Sequence, residues 1–360
     1  MNYTKNPKAN HILQKVILVC EDIILSYCHP IEILLAGSYA RGEGMITTKN
    51  NKIHFISDLD IYIIGKKSIR HNLWAINNKI NQSVKKEYDV DINLQYMDVN
   101  SQHDDLSAID LKHQTILLYG YPVHKTIDVN IKRALRTSIR FLMSKSKYLL
   151  LLDKEMSKEE VINICSRAYA EMATVLCSKA GIYKTTYLER CNTIKKIRFP
   201  TIKKSLIERV VKFTKHKLGY TEKFDEGKIK IYHQTISDLC KVWAFLLKIP
   251  TEDVKSGSQI FKKRLADEFF SPYMEEAFDR IFGFSNPPFK SFWIKLIQIY
   301  DLFPFLLKKG QIKNIYIHGL TSPYIWIYSQ IIGSLSKLEF KRDTQLVKLW
   351  NLNAGRRYHF

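Results

Sequence analysis

The chain has 360 residues, 46% of them apolar, which suits two domains with real cores and is too long for one small domain. Its net charge is +21, and residues 1–130 carry 14 Lys/Arg against 14 Asp/Glu, so the whole excess of 56 basic over 35 acidic residues falls beyond residue 130. Six cysteines without a CxxC pair argue against a zinc site or a disulfide framework and for reduced thiols in a cytoplasmic protein; no stretch approaches the roughly 20 apolar residues of a membrane span.

Residues 8–27 have helical periodicity, with Ile12, Val16, Val19 and Ile23 on one face. Glu21 and Asp22 interrupt the apolar run Val16–Cys20, so this segment reads as an amphipathic helix and not as a signal peptide. A strand over 31–36 ends at Gly37-Ser38. Residues 45–56 predict a hairpin turning at Lys49-Asn50-Asn51-Lys52. A strand over 59–64 stops at Gly65, an amphipathic helix covers 69–86, and 90–96 alternates strictly as a strand should. Residues 106–119 predict a short helix closed by Gly120. Beyond 128 the pattern becomes helical, over roughly 128–152, 157–180, 201–217, 229–248, 258–282, 289–308 and 322–337, punctuated by prolines. The expected fold class is α+β: a small mixed-sheet domain over 1–127, then an all-helical basic domain over 128–360.

Three short segments carry chemistry. Asp58 and Asp60 occupy alternate positions of a strand and so share one face, while Leu59, Ile61 and Ile63 share the other. Two carboxylates that close repel unless a cation or water compensates, and Mg²⁺ suits a pair of carboxylates completed by substrate phosphates. Asp89, Asp91 and Asn93 alternate in the same way against Val90, Ile92 and Leu94. If the two strands are neighbours, three carboxylates converge. Gly37 allows a close backbone approach to a phosphate, Ser38 adds a hydroxyl and an N–H, and Arg41 offers a bidentate donor; a short helix after the turn would add its N-terminal partial charge. A Gly-Ser turn or a lone Asp-x-Asp means little; the ordered set is the signal.

That ordered set resembles the nucleotidyltransferase superfamily of DNA polymerase β, the CCA-adding enzymes, poly(A) polymerases, oligonucleotide-signal synthases and aminoglycoside nucleotidyltransferases. The resemblance covers roughly residues 30–125. Gly37 and Ser38 match its Gly-Ser, and Asp58 and Asp60 match its paired metal ligands. Asp91 is the expected third carboxylate, with Asp89 as the alternative. Leu118-Tyr119-Gly120 is similar to the "LYG" that ends a helix in small members. The form Gly37-Ser38-Tyr39-Ala40-Arg41-Gly42-Glu43-Gly44, with Gly181-Ile182-Tyr183 and Tyr187-Leu188-Glu189-Arg190, is similar to a bacterial branch. Ser38 and Asp58 lie twenty positions apart, more than the family's usual separation, and the hairpin absorbs the difference.

The resemblance implies transfer of a nucleoside monophosphate from an NTP, ATP among them, to an acceptor hydroxyl with release of pyrophosphate. Two Mg²⁺ ions, or Mn²⁺, would sit on Asp58, Asp60 and Asp91, with Gly37, Ser38 and Arg41 on the nucleotide phosphates. The charge asymmetry favours an RNA 3′ end as acceptor. A sugar, an antibiotic or a protein side chain is the alternative, and an inactive binding module of the same fold is the second. Arg133, Arg136 and Arg140 share helical spacing and are candidates for a phosphate contact. His113, His124, His216 and His233 read as surface or packing residues, and Trp243, Trp293, Trp326 and Trp350 as helical core.

Overall fold

The computed structural model describes residues 3–49, 52–98, 106–126, 131–265 and a few positions beyond. The helix expected over 289–308, most of those over 258–282 and 322–337, and Trp293, Trp326 and Trp350 lie outside the described residues.

Asn6 starts helix α1 (Pro7–Tyr27) by accepting the N–H groups of Lys8 and Ala9, with Pro7 in the first turn, where its missing N–H is not needed. The face that α1 buries is Leu13, Val16, Ile17, Cys20 and Ile24. The sequence placed that stripe on Ile12, Val16, Val19 and Ile23; three of these four are only partly buried and flank it.

There follow β1 (Glu32–Ala36), the single turn α2 (Gly37–Ala40), the hairpin β2 (Ile46–Lys49) and β3 (Lys52–Phe55), and β4 (Leu59–Gly65). Then come α3 (Leu73–Tyr88), β5 (Ile92–Asp98), α4 (Leu106–His113) and β6 (Ile116–Gly120). Four strands form one mixed sheet in the order β5-β4-β1-β6, and the hairpin is a separate two-stranded sheet. β1 runs antiparallel to β4 and β6, and β4 runs parallel to β5. The parallel pair needs a crossover, which α3 supplies.

β6 departs from the expected helix over 106–119. The helix stops at His113, and the apolar run from Ile116 to Tyr119, with a β-branched residue at one end and an aromatic at the other, pairs with β1 instead. Gly120 closes no helix. It has φ +87°, and a Cβ there would fall 1.9 Å from the Ile31 carbonyl oxygen. The glycine permits strand-on-strand approach at the sheet's edge.

β1 is buried on both faces, which explains its unbroken apolar run. Ile33 and Leu35 join Leu59, Ile61, Ile63 and Ile92 with the buried faces of α1 and α3. Leu34 and Ala36 join Ile64, Met97 and Leu111 on the opposite face. On that face Asp60 takes its place along β4. Glu32, fully buried, accepts the backbone N–H of His124 and pairs with its ring, so His124 is a packing histidine.

The remaining helices are α5 (Ile131–Ser146), α6 (Lys158–Lys179), α7 (Tyr187–Ile194), α8 (Lys204–Lys217), α9 (Lys228–Leu247), α10 (Thr251–Ser256) and α11 (Gln259–Leu265). By contact the chain divides into two units. One comprises 1–138, 180–196 and 214–222; the other comprises 139–179, 197–213 and 223–360. Segments that the sequence assigned wholly to the helical part beyond 127, α7 among them, thus belong to the unit that holds the sheet. In the second unit α6 packs on α9, Tyr169 stacks on Phe213 at 4.4 Å, and Trp243 is fully buried against Phe261 and Tyr328. All six cysteines are buried and none forms a disulfide. Among the described residues no helix is long and apolar enough to cross a membrane.

Candidate functional site

The end of β1 builds the site. Ala36 lies opposite Asp60 in the antiparallel register, so Gly37 is delivered directly against the Asp60 side chain. A Cβ on Gly37 would fall 2.0 Å from Asp60 Oδ2, and the backbone there has φ +70°. Glycine is therefore required twice, by the left-handed conformation and by the carboxylate beside it. Ser38 follows in α2, partly buried, and its carbonyl accepts the Glu43 N–H at 2.8 Å. α2 is only one turn, so it contributes its own N–H groups and not the summed dipole expected of a longer helix.

Asp58 immediately precedes β4 and is exposed; Asp60 is the second residue of β4 and is half-buried. Both lie near the fully buried Tyr39. Burial first, and then the charges of Asp58 and Asp60, push the Tyr39 phenol above its usual range. Its hydroxyl donates to the Ser57 carbonyl at 3.0 Å, and the Ser57 hydroxyl accepts the Met45 N–H at 2.9 Å. Tyr39 in turn packs on Gly44, where a Cβ would fall 2.0 Å from its ring. The Gly-Ser turn and the residue preceding Asp58 are thus locked together through one buried aromatic.

The third carboxylate is placed differently from the expectation. β5 begins at Ile92, and the residue opposite Asp60 is Asn93. Asn93 Nδ2 donates to Asp60 Oδ1 at 2.7 Å. Asp91 precedes the strand: its carbonyl accepts the Leu59 N–H, while its exposed carboxylate lies 2.8 Å from Lys85 Nζ. That hydrogen bond, followed by the Asp91 charge, holds the Lys85 ammonium above its ordinary pKa. Asp89 ends α3 in the left-handed conformation, φ 53°, and its exposed carboxylate is 3.6 Å from His54 Nδ1. Asp58 and Asp60 both act on Tyr39, whereas Asp89 lies beside His54 and Asp91 beside Lys85. Among the described residues, no group of three or more His, Cys, Asp or Glu side chains is arranged to hold a metal ion.

Arg41 also has a different setting from the one expected. Its side chain is 7% exposed, with Nε 3.2 Å from Glu43 Oε2 and Nη1 3.5 Å from Asp110 Oδ2. Burial alone would lower its pKa, but Asp110, Tyr187 and Glu43 outweigh burial and raise it. Asp110 also accepts from the Tyr183 hydroxyl and lies 3.7 Å from Arg190 Nη2. Glu43 Oε1 accepts the Leu188 N–H at 3.4 Å. The Tyr187 ring has Arg41, Arg190 and Lys217 around it at 5.7, 5.0 and 3.6 Å. Arg41 therefore anchors the turn after α2 to α4 and α7.

Glu43, Asp110, Tyr183 and Arg190 were not singled out as site residues from sequence. One local signal existed: Thr186 and Glu189 form a capping box that starts α7 and arranges the Tyr183–Arg190 segment. The Arg133 side chain lies outside the described residues. The chain matches no protein-family model and no curated protein.

Proposed function

We propose that the chain is a nucleotidyltransferase that binds an NTP with Mg²⁺ at Gly37, Ser38, Asp58 and Asp60 and moves the nucleoside monophosphate to an acceptor hydroxyl. The observation that carries the reading is the contact between the Gly37 backbone and the Asp60 carboxylate, with the charges of both Asp58 and Asp60 acting on the buried Tyr39 beside them. A strand that stops at a left-handed glycine against a carboxylate has no packing reason to keep a second, exposed acid two positions away.

The donor set fits the ion. Mg²⁺ is commonly held by one or two carboxylates together with substrate phosphates, and Asp58 and Asp60 supply two. When bound, the ion would neutralise the triphosphate and polarise the α-phosphate. The Gly37 and Ser38 backbone N–H groups and the Ser38 hydroxyl would face the phosphate oxygens, with the missing side chain of Gly37 making the space that Asp60 occupies. Tyr39 and Ser57 hold Asp58 and the turn in one geometry, and positioning supplies most of the catalysis in phosphoryl transfer. The acceptor oxygen bonds to the α-phosphorus, the bond to the β-phosphate oxygen breaks, pyrophosphate leaves with that electron pair, and the hydroxyl proton passes to solvent. No step is assigned to Asp91, whose carboxylate is placed beside Lys85.

An RNA 3′ end is the acceptor class that the charge distribution supports, since the basic excess beyond residue 130 suits a phosphate backbone. The second reading is a nucleotide-binding module without transfer, and the observation that favours it is Asn93 in register with Asp60. The deciding experiment incubates the protein with each α-³²P NTP, Mg²⁺ and either total RNA or total soluble protein, beside Asp58→Ala/Asp60→Ala. Label on RNA that disappears in the double variant is the expected result. Label on protein moves the acceptor to a side chain. Nucleotide binding without label on any acceptor, small molecules included, selects the binding module.

A further inference from the structure

The Asp60 side chain is held from two sides. Asp60 and Asn93 are opposite residues of the parallel β4–β5 pair and share the sheet face that also carries Leu34 and Ala36. One carboxylate oxygen, Oδ1, receives the Asn93 amide at 2.7 Å. The other, Oδ2, fills the space that a Gly37 Cβ would need. The remaining acids of the neighbourhood have other settings: Asp91 lies beside Lys85, Asp89 beside His54, and Asp58 is exposed.

The chemistry of position 93 matters because it sets how many negative charges the sheet gathers. An amide donates to a carboxylate without adding charge. A carboxylate in its place would bring a further negative charge within hydrogen-bond distance of Asp60, tolerable only with a cation between them. We propose that Asn93 is a positioning residue that fixes the orientation of the Asp60 carboxylate, so that Asp60 is directed for a metal–nucleotide without a third negative charge beside it. This rests on the reading of Asp58 and Asp60 as metal ligands. Partners that orient a ligand in this way typically change metal affinity by about 10–100-fold when they are removed.

The test follows Mn²⁺ binding to the full chain in the presence of ATP, by the electron paramagnetic resonance signal of the free ion, for wild type, Asn93→Ala, Asn93→Asp and Asp60→Asn. Melting temperatures are taken in EDTA and in Mn²⁺. Asn93→Ala should bind Mn²⁺ about tenfold more weakly than wild type. Asn93→Asp should melt below wild type in EDTA and show a larger rise on adding Mn²⁺, because only the metal relieves the added charge. A merely structural role for Asn93 would lower the EDTA melting temperature without enlarging that rise. Wild-type Mn²⁺ affinity in Asn93→Ala, alongside its loss in Asp60→Asn, overturns the role of Asn93 and leaves the metal site standing. Wild-type affinity in Asp60→Asn overturns the metal site itself. If Asn93→Ala does not fold, a metal-induced rise in Asn93→Asp no larger than that of wild type overturns the proposal.

Discussion

Two buried or half-buried aspartates in this chain are treated in opposite ways. Asp238, in the second unit, has no exposed surface and is surrounded by donors. Arg209 reaches both its oxygens, from Nε at 2.6 Å and from Nη2 at 2.9 Å, Tyr169 donates at 2.9 Å and Gln234 at 3.0 Å. Three helices, α6, α8 and α9, meet on that one carboxylate. Asp60 instead has a glycine backbone against one oxygen and a neutral amide on the other, with a second acid, Asp58, two positions before it in the chain. A charge buried for architecture is neutralised within the fold. The Asp58–Asp60 pair gathers negative charge and leaves Asp58 facing solvent, which is the arrangement a cationic ligand complements.

The comparison can be broken by mutation, and the largest effect is expected at the site. Asp60→Ala should lower nucleotidyl transfer by more than about 100-fold, the upper range for merely outer-sphere partners of a metal, while the denaturation midpoint stays near wild type. A midpoint that collapses together with activity would make Asp60 a scaffold residue like Asp238. Next is Asp238→Ala, which strands Arg209 and should cost roughly 3–5 kcal/mol in urea unfolding. Little change there would mean that the donors find water as easily as they find the carboxylate. Gly37→Ala places a methyl group against Asp60 in a left-handed conformation. It should cost about 1–3 kcal/mol and reduce metal–nucleotide binding as well, read by urea unfolding and by Mn²⁺ titration with ATP. The smallest effect is Thr186→Ala, which removes the α7 cap and should cost about 1 kcal/mol by thermal denaturation.

The parts of this fold that sequence reveals are those set by local spacing. Alternation put Leu59, Ile61 and Ile63 on the core face, and β1, the hairpin, β4 and β5 lie close to where their apolar runs and turn residues put them. What alternation could not settle was register. Asp91 and Asn93 share a face in sequence, and only the β4–β5 pairing decides which of them meets Asp60. Ile116–Tyr119 read as the end of a helix, and wrongly, because a short apolar run has no period of its own; its pairing with β1 makes it a strand. Arg41 was legible as a cation near the turn. Its partner Asp110 lies 69 positions away and Arg190 far beyond that, so its employment as an anchor required the tertiary fold.

The hairpin between the Gly-Ser turn and the acid pair has a consequence for how the chain tolerates change. Its two ends are pinched at one point, where the Met45 carbonyl accepts the N–H groups of both Ile56 and Ser57. The chain leaves the domain and returns to the same spot, so β2 and β3 form a closed excursion whose length does not enter the spacing between Gly37 and Asp60. The tip of the hairpin between Lys49 and Lys52 is thus a graft point, while Phe55 near its base packs on Tyr39. A shorter loop, or an inserted peptide tag, can replace the hairpin tip while the strand pairing of Ala36 with Asp60 keeps the turn and the carboxylates in place.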